Sequence, residues 1–503
     1  MLRKIRTTLG LLFFVGITWL FLDFTGLAHT YLGWMAKIQF LPAVLALNVG
    51  MIVLLLALTL LFGRIYCSVI CPLGVFQDII AWFGKRTGDK KHRKMPYSYS
   101  PAKQTLRYSI LAVFVVALVA GFSSIALLLA PYSAYGRIAS TLLQPIYRWG
   151  NNLLALWAAH IESYAFYETE VWFRSLPTLL VAVVTLLVIG YLAMRHGRTY
   201  CNTICPVGSV LGFVARFSLF KIQLDTERCK QCDLCARNCK AACIDTRQGS
   251  VDYSRCVTCG DCLEQCKHDA IHYIYVKPGS SAPATQTKTD HSLRSFLTLL
   301  GVGATAALRG QTIPKATDVK MDGGLAPLVP KEKPHRATPV TPPGALSARN
   351  LTQHCTGCQL CISACPNQVL RPSSDLSTFM QPEVSYEKGY CRPECVKCSE
   401  VCPTGAIRPI TVADKSAVHV GHAVWIKENC LFIRDNQPCG NCARHCPVNA
   451  IEMVPLDAND PKSHLIPVVN DEACIGCGAC EHLCPSNPLS AIYVEGYQVQ
   501  RVQ

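Results

Sequence analysis

The sequence predicts a membrane α-helical bundle joined to small α+β domains, and two of its features support this fold class. The first 200 residues contain four apolar stretches, each long enough to cross a bilayer. The chain of 503 residues also contains 29 Cys, most of them in groups of four. Cys in such groups are typical of iron–sulfur domains, not of disulfides. We expect four membrane spans, or five if an apolar segment near residue 300 also crosses.

The four apolar stretches are Thr8–Ala28, Leu41–Phe62, Tyr108–Ala130 and Leu176–Ala193. Each has about 20 residues, which matches a hydrocarbon core of roughly 30 Å. Their length and uniform apolarity argue against buried helices of a soluble protein. Lys and Arg are concentrated before the first stretch, between the second and third, and after the fourth, so these segments should be cytoplasmic. The loop Pro131–Arg174 should then face outward.

A twelve-residue motif follows the second and the fourth stretch. It reads Gly63-Arg64-Ile65-Tyr66-Cys67-x-x-Ile70-Cys71-Pro72-x-Gly74 and Gly197-Arg198-Thr199-Tyr200-Cys201-x-x-Ile204-Cys205-Pro206-x-Gly208. The repeat predicts a helix pair with a Cys-containing turn that is used twice. Each Cys pair lies on one face of a helical turn. Cys67, Cys71, Cys201 and Cys205 are therefore a candidate metal or redox site, and the alternative is a packing role in a tight turn.

Two Cys quartets follow the membrane part, and their three-residue spacing is typical of a bacterial ferredoxin with two [4Fe–4S] clusters. In such domains the fourth Cys of each quartet ligates the other cluster. We therefore assign one cluster to Cys229, Cys232, Cys235 and Cys266, and the other to Cys256, Cys259, Cys262 and Cys239. A zinc site would need two Cys pairs, not two quartets, and is disfavoured.

This first ferredoxin departs from the usual pattern in two ways. Lys240 and Lys267 follow the fourth Cys, where Pro is usual. A cation beside a cluster favours its reduced form, which predicts a higher potential; the alternative is that each lysine points to solvent. Cys243 belongs to neither quartet, and we expect a small buried residue there, not a ligand.

A linker with a signal-like segment separates the two ferredoxin regions. Residues 293–308 are apolar, and with Ser292, Arg294 and Phe296 they resemble a twin-arginine export signal whose first Arg is replaced by Leu293. A ferredoxin that receives its clusters in the cytoplasm must cross a membrane folded, so such a signal would suit a periplasmic C-terminal domain. The alternative is a soluble linker helix.

The C-terminal region contains four further quartets, of which the outer two are regular and the inner two are irregular. They are Cys355, Cys358, Cys361 and Cys365; Cys391, Cys395, Cys398 and Cys402; Cys430, Cys439, Cys442 and Cys446; and Cys474, Cys477, Cys480 and Cys484. We expect the outer quartets to pair with each other and the inner two likewise, with sequential pairing as the alternative. The chain would hold six [4Fe–4S] clusters in all.

These motifs divide the chain and carry two resemblances. The predicted domains are a membrane domain (1–215), a two-cluster ferredoxin (216–276), a linker (277–345) and a four-cluster polyferredoxin (346–503). The spans, the paired turns and the first ferredoxin (1–275) resemble the NapH-type membrane quinol dehydrogenases. The C-terminal quartets (340–495) resemble the NapG/MauM-type ferredoxins.

The resemblances imply a multi-pass protein of the bacterial inner membrane that is a quinol dehydrogenase component of a respiratory chain. It would oxidise menaquinol or ubiquinol and pass electrons through its clusters to a terminal reductase, cytochrome or ferredoxin partner. Two alternatives remain. One is an assembly factor for a respiratory metalloenzyme, because FixG/CcoG-like proteins share the membrane motifs; the other is electron flow from ferredoxin to quinone.

Composition argues against a nucleic-acid partner. The formal net charge is +15, but six clusters at about −2 each would bring the holo-protein to roughly +3.

A quinol site needs ionisable groups at membrane depth or at the interface, where such groups are costly. Asp23, His29, Arg137 and His160 are the candidates. An interface anchor or a helix cap is the alternative role for each.

One difficulty concerns the path between the two ferredoxins. If they lie on opposite sides of the membrane, electrons must cross between them. The four Cys of the paired turns are expected on the cytoplasmic side only, and the sequence shows no set of haem ligands. Three alternatives stay open: quinol feeds the two modules separately, both modules lie on one side, or a further cofactor connects them.

Overall fold

A computed structural model describes residues 2–87, 97–121, 123–163, 165–169, 171, 175–276, 331–457 and 463–502. Within these residues, a helical part extends to residue 215 and two α+β parts follow it. The α-helices of the helical part are Leu2–Leu22, Leu27–Leu32, Trp34–Lys37, Phe40–Leu45, Val49–Phe62, Ile65–Val69, Pro72–Thr87, Gln104–Val119, Ser123–Leu129, Pro131–Ile138, Gln144–His160, Leu176–His196 and Pro206–Ala215. Ala139–Leu143 and Tyr200–Ile204 are π-helical turns.

The described residues of the helical part do not contain the four full-length spans that the sequence predicts. Among the described residues, two helices are long and apolar enough to cross a membrane: Leu2–Leu22, called the N-terminal helix below, and Leu176–His196. The second predicted span is broken at Leu47, which has a φ of 52°, and at Asn48, whose side chain caps the helix that follows. The third is interrupted near Gly121, which has a φ of 81°. Left-handed residues cannot continue an α-helix, which explains both breaks.

One face of the N-terminal helix packs against the core of the helical part. Ile17, Leu20 and Phe21 are fully buried there. Halfway along it, Gly10 lies against the next helices so closely that a Cβ at this position would be 3.2 Å from the carbonyl oxygen of Ser68. The expected outer loop Pro131–Arg174 is mostly helical, because Pro131–Ile138 and Gln144–His160 occupy its first thirty residues.

The first ferredoxin is a small α+β unit at one end of the N-terminal helix. Strand Phe220–Leu224 pairs antiparallel with Ile271–Tyr275, and Ile244–Asp245 pairs with Ser250–Val251. The short helices Leu234–Asn238 and Asp261–Gln265 each follow a Cys loop. Arg3, in the first turn of the N-terminal helix, forms ion pairs with Asp261 (3.0 Å) and Glu264. The start of this helix is thereby fixed to the first ferredoxin.

The second ferredoxin spans residues 331–502 and is likewise built from antiparallel strand pairs and short helices. Its antiparallel strand pairs are Leu370–Pro372 with Pro382–Val384, Ile451–Pro455 with Leu465–Val469, and Val418–Trp425 with Ile492–Val502. Its α-helices are Ala348–His354, Leu360–Ala364, Lys397–Val401, Val412–Ala417, Leu431–Asp435, Asn441–Arg444 and Ala479–His482.

This second ferredoxin contacts the other end of the helical part. Ser133 donates a hydrogen bond to the carbonyl of Gly357 (3.3 Å), and Ser140 bonds the side chain of Gln359 (2.7 Å). Gly136 packs against both Cys358 and Phe21, which is next to the last residue of the N-terminal helix. The two ferredoxins therefore lie at opposite ends of this helix. The signal-like segment 293–308 lies outside the described residues.

Candidate iron–sulfur sites and central thiols

The first ferredoxin gathers its thiols in two groups. Cys229, Cys232, Cys235 and Cys266 line one cavity, and Cys239, Cys256, Cys259 and Cys262 line the next. This is the predicted arrangement, in which the fourth Cys of each quartet joins the first three of the other. The second group is the inner one, because Thr258 in its loop donates to the carbonyl of Phe62 in the helical part (3.2 Å). Cys232 of the outer group is exposed.

Cys243 is buried beside the inner group. Its sulfur lies 3.5 Å from that of Cys239. It is thus a small buried residue that touches the ligand shell.

Lys240 does not point to solvent. Its Nζ lies 3.0 Å from a carboxylate oxygen of Asp261 and 3.7 Å from one of Asp78. Burial acts to lower the pKa of Lys240, but these two carboxylates outweigh it and raise the pKa. Its charge is therefore shared with two acids, which weakens the effect that a free cation would have on the cluster. Lys267, by contrast, is exposed.

In the second ferredoxin the quartets pair sequentially, so the expected nested pairing is wrong. Cys446 joins Cys474, Cys477 and Cys480 around one cavity. The charge on Cys442 interacts with Cys439, Cys430 and Cys484, so these four Cys form the other group of this pair. In the same way Cys402 accompanies Cys355, Cys358 and Cys361, whereas Cys365 accompanies Cys391, Cys395 and Cys398. The physical reason is that helices Leu360–Ala364 and Lys397–Val401 pack on each other within one compact unit.

The two pairs meet at a short backbone contact. The amide of Cys391 donates to the carbonyl of Cys477 (2.9 Å), and the buried hydroxyl of Tyr386 donates to the carbonyl of Gly476 (2.6 Å). One ligand loop of each pair is thereby joined to the other, which gives a continuous protein path between them.

The quartets fit the clusters that their spacing implies. Backbone amides donate to cluster-side sulfurs in both ferredoxins, at Cys266 (3.2 Å), Cys446 (3.2 Å) and Cys484 (3.3 Å). Such bonds favour the anionic thiolate and tune the cluster potential. Across the described residues, no three Cys, His, Asp or Glu side chains converge tightly enough for a single metal ion. Thiolates around a four-iron cluster are spread more widely than around one ion, so this arrangement suits clusters.

The two repeated turns pack against each other crosswise. Arg198 Nη1 donates to the carbonyl oxygen of Cys67 (2.5 Å), and Arg64 Nη2 donates to that of Cys201 (3.2 Å). Both guanidinium groups are almost completely buried. Each turn therefore supplies the arginine that orders the Cys loop of the other.

This packing brings Cys67, Cys71, Cys201 and Cys205 together, and we call them the central thiols. All four are buried, with at most 4% of each residue exposed. Gln77 Nε2 lies 3.2 Å from the sulfur of Cys201, and Arg64 Nη2 lies 3.7 Å from that of Cys67. Hydrogen-bond donors thus surround the sulfurs.

Asp78 holds three cations between the turns and the first ferredoxin. It pairs with Arg6 (2.7 Å), Arg198 (2.8 Å) and Lys240 (3.7 Å). Burial acts to raise the pKa of Asp78, but Arg198, Lys240 and Arg6 outweigh it and hold the pKa well below its usual range. The carboxylate is therefore ionised at neutral pH.

Two of the four quinol-site candidates lie side by side. Asp23 accepts hydrogen bonds from the amides of Thr25, Gly26 and Ala28, so it caps the helix Leu27–Leu32. His29, in that helix, interacts with Asp23 and also with Lys397 and Glu400 of the second ferredoxin. Both ring nitrogens of His29 are buried and have no hydrogen-bond partner among the described residues. Burial lowers the pKa of His29.

The other two candidates lie elsewhere. Arg137 is fully buried and donates to the carbonyl of Leu127 (2.8 Å) and the hydroxyl of Ser133 (2.7 Å). These bonds hold together the helical segment that contacts the second ferredoxin. His160 is exposed at the end of its helix.

Several residues at these sites were not predicted from the sequence. Arg64 and Arg198 were visible as identical positions of the repeat, but no role was inferred for them. Gln77 and Asp78 lie just after the first motif, outside the repeated positions, so the repeat did not mark them. Lys397 is an ordinary residue of a Cys loop. Their contacts arise from distant parts of the chain.

Comparisons with known proteins agree with these sites. One family model, described as a 4Fe-4S binding domain, matches residues 44–89 and 176–225, which contain the two turns. Another, described as a 4Fe-4S dicluster domain, matches 354–431 and 437–487. No solved structure matches the chain significantly.

Curated relatives cover part of the chain. The methylamine utilization ferredoxin-type protein MauM of Paracoccus denitrificans is 36% identical over 182 residues, which are 34% of this chain and 78% of that protein. The ferredoxin-type protein NapG of Escherichia coli is 31% identical over 182 residues, 33% of this chain and 77% of NapG. The putative electron transport protein YccM of Escherichia coli is 26% identical over 201 residues, 40% of this chain and 47% of YccM. Through the region shared with MauM and NapG, the chain belongs to this family of ferredoxin-type iron–sulfur electron-transfer proteins.

Proposed function

We propose that this protein is a membrane-bound quinol dehydrogenase component that passes electrons through [4Fe–4S] clusters to a partner reductase. The observation that carries the proposal is the position of the two ferredoxins at opposite ends of the N-terminal helix. This helix has 21 residues and is about 30 Å long, which equals the thickness of a bilayer core.

The surface of the helical part supports a membrane location. Of the apolar windows in Leu2–Leu22 and Leu176–His196, only 33% and 22% of the residues are buried. Core helices of a soluble protein would be mostly buried, and exposed apolar surface of this extent marks a membrane or partner face. Large apolar side chains that are at least half exposed include Leu11, Leu12, Val15, Val53, Leu54, Val113, Val116, Leu180, Val184, Leu187 and Val188.

The broken helices are compatible with a four-crossing bundle in the inner membrane. Val49–Phe62 and Gln104–Val119 are apolar but shorter than a full span. Irregular backbone is tolerated at membrane depth where it is buried in protein. The short helices Phe40–Leu45 and Ser123–Leu129 would complete the two crossings. The first ferredoxin would then be cytoplasmic and the second periplasmic.

His29 is the residue best placed to receive a quinol proton. Its ring is buried, has no hydrogen-bond partner among the described residues, and faces the Cys398 loop through Lys397 and Glu400. A lowered pKa keeps the imidazole neutral near pH 7, so that it can accept a proton. Asp23 holds the helix that carries His29. The bound clusters would supply the one-electron chemistry, while the chain supplies position and a proton acceptor.

The contacts suggest an order of groups toward the partner. Cys358 is nearest to the helical part, and Cys391 and Cys477 join the two pairs. The group with Cys430, Cys439 and Cys442 belongs to the second pair, beyond this junction, and the loop before Cys439 is exposed. This loop is where a terminal reductase, cytochrome or ferredoxin would accept electrons.

The test is anaerobic addition of a menaquinol analogue to the oxidised, purified protein, followed by electron paramagnetic resonance. Growth of reduced [4Fe–4S] signals that a quinone-site inhibitor blocks is the expected result. Clusters that remain oxidised with quinol but are reduced by dithionite would contradict the proposal. That outcome would favour an assembly factor or electron flow toward quinone.

A further inference from the structure

We propose that the central thiols, Cys67, Cys71, Cys201 and Cys205, together ligate one more iron–sulfur cluster, which connects the two ferredoxins across the membrane part. The ligand assignment rests on the geometry of the turns. Its role as a connection rests on the proposed function, and the experiment below separates the two.

The depth of the central thiols in the helical part supports this assignment. The sequence places the paired turns at the cytoplasmic surface, but Gly10, which contacts Ser68 and Val69 of the first turn, is near the middle of the N-terminal helix. The middle of a 21-residue helix is about 15 Å from either end. The central thiols therefore lie between the two ferredoxins, not beside the first one alone.

The four central thiols also converge on one another. The charge on Cys71 interacts with Cys201 and Cys67, and that on Cys205 interacts with Cys201, Cys71 and Cys67. The crosswise bonds of Arg64 and Arg198 hold the two Cys loops in this arrangement. Four thiolates from two loops are the usual ligand set of a four-iron cluster. Zinc could occupy four thiolates too, but it cannot carry electrons.

A buried positive charge lies beside the central thiols. Arg64 is fully buried, and its hydrogen bonds go to Asn202, to backbone carbonyls and to the sulfur of Cys67, with no carboxylate among them. Buried cations need a compensating negative charge. A four-thiolate cluster carries about −2 when oxidised and would provide it, whereas a disulfide or neutral thiols would not.

Contacts lead from the central thiols toward both ferredoxins. Toward the first ferredoxin, Arg64 donates to the carbonyl of Ser254 (3.0 Å), two residues before the ligand Cys256. Toward the second, the hydroxyl of Tyr200 donates to the carbonyl of Leu129 (3.1 Å). Two residues earlier, Leu127 packs on Gly357, which is next to the ligand Cys358. A cluster here would divide one long electron transfer into two shorter ones.

Iron content tests the ligand assignment on the full-length protein, isolated anaerobically in detergent. Six clusters correspond to about 24 iron atoms per chain and seven to about 28. We expect the higher value, and we expect the double variant Cys71→Ser/Cys201→Ser to lose about four irons while the ferredoxin signals persist. Ser68→Ala, a buried change in the same turn, should lose none. A wild-type value of about 24, or a double variant with unchanged iron, would overturn the assignment.

Electron crossing is tested separately in sealed proteoliposomes, with dithionite outside as the reductant and no quinol present. In molecules whose first ferredoxin faces outward, we expect dithionite to reduce the enclosed second ferredoxin in the wild-type and Ser68→Ala proteins, and much more slowly in the double variant. Equal rates in all three would show that the central thiols carry no electrons across. Because quinol is omitted, failure of the quinol proposal leaves this result interpretable.

Discussion

Arg198 donates a 2.5 Å hydrogen bond to the carbonyl oxygen of Cys67, a residue 131 positions earlier in the chain. Arg64 makes the equivalent bond to Cys201 in the opposite direction, at 3.2 Å. The two halves of the internal repeat are therefore interlocked through their arginines. This relationship places the four central thiols together and underlies the first two predictions.

The first prediction concerns the buried charge of Arg64. Replacing it in Arg64→Gln removes a cation near the inner group of the first ferredoxin, which makes an added electron less favourable. We expect the midpoint potential of that cluster to fall by roughly 50 mV, equivalent to about 1 kcal/mol. A redox titration followed by electron paramagnetic resonance measures it. Arg434→Gln, at an exposed arginine paired with Asp435, should leave the potential unchanged.

The second prediction concerns the close contact at the two turn glycines. A Cβ on Gly74 or Gly208 would lie 2.1 Å from the carbonyl oxygen of Cys67 or Cys201, respectively. Since the obstacle is backbone, we expect Gly208→Ala to destabilise the helical part by about 3 kcal/mol. Thermal unfolding in detergent provides the measurement. Gly150→Ala is the matched control, because a Cβ there meets nothing within 4 Å; it should be neutral or stabilising by about 0.5–1 kcal/mol.

The third prediction concerns the shared carboxylate of Asp78. The change Asp78→Asn leaves Arg6, Arg198 and Lys240 without it, and breaking a buried ion pair costs about 3–5 kcal/mol. Unfolding experiments should show this loss, whereas Asp435→Asn, at an exposed ion pair, should leave the stability essentially unchanged. Because its folded pKa is depressed, the contribution of Asp78 is fully present above the unfolded value of about 3.9 and is lost as the pH falls further. An Asp78→Asn protein as stable as the wild type would refute the shared-carboxylate role.

The fourth prediction concerns His29. If its ring accepts the quinol proton, His29→Gln should slow reduction of the clusters by a menaquinol analogue about 100-fold, while reduction by dithionite is unchanged. The wild-type rate should also fall as the pH drops through the lowered pKa of His29, because the protonated ring cannot accept. His160→Gln, at an exposed histidine, is the control and should keep the full rate. Equal slowing with dithionite would indicate a structural role for His29 instead.

The fifth prediction separates the two pairing schemes of the second ferredoxin. With sequential pairing, Cys446→Ser should alter the cluster held by Cys474, Cys477 and Cys480, as its position in their cavity indicates. With nested pairing it would instead alter the cluster of Cys391, Cys395 and Cys398. Spectra of Cys446→Ser compared with those of Cys477→Ser and Cys395→Ser decide between them. The matched change Cys243→Ala, at a buried Cys outside the quartets, should remove no cluster.

The sequence alone determined much about this protein. The spacing of the Cys identifies the ferredoxin domains, because a loop that wraps a cluster needs ligands at fixed short intervals. Ligand exchange in the first ferredoxin also follows from spacing, since its two quartets lie within 38 residues, from Cys229 to Cys266. The repeated turns and the apolar stretches are equally local patterns.

Tertiary structure decided the rest, because it depends on contacts between distant segments. Composition shows an apolar stretch but not the left-handed residues at Leu47 and Gly121 that divide it into shorter helices. Four quartets in a row allow either pairing, and only the packing of Leu360–Ala364 on Lys397–Val401 selects the sequential one. The depth of the central thiols is set by the contact of Gly10 with Ser68. A local motif specifies which atoms a residue offers, whereas the folded chain specifies which distant atoms it meets.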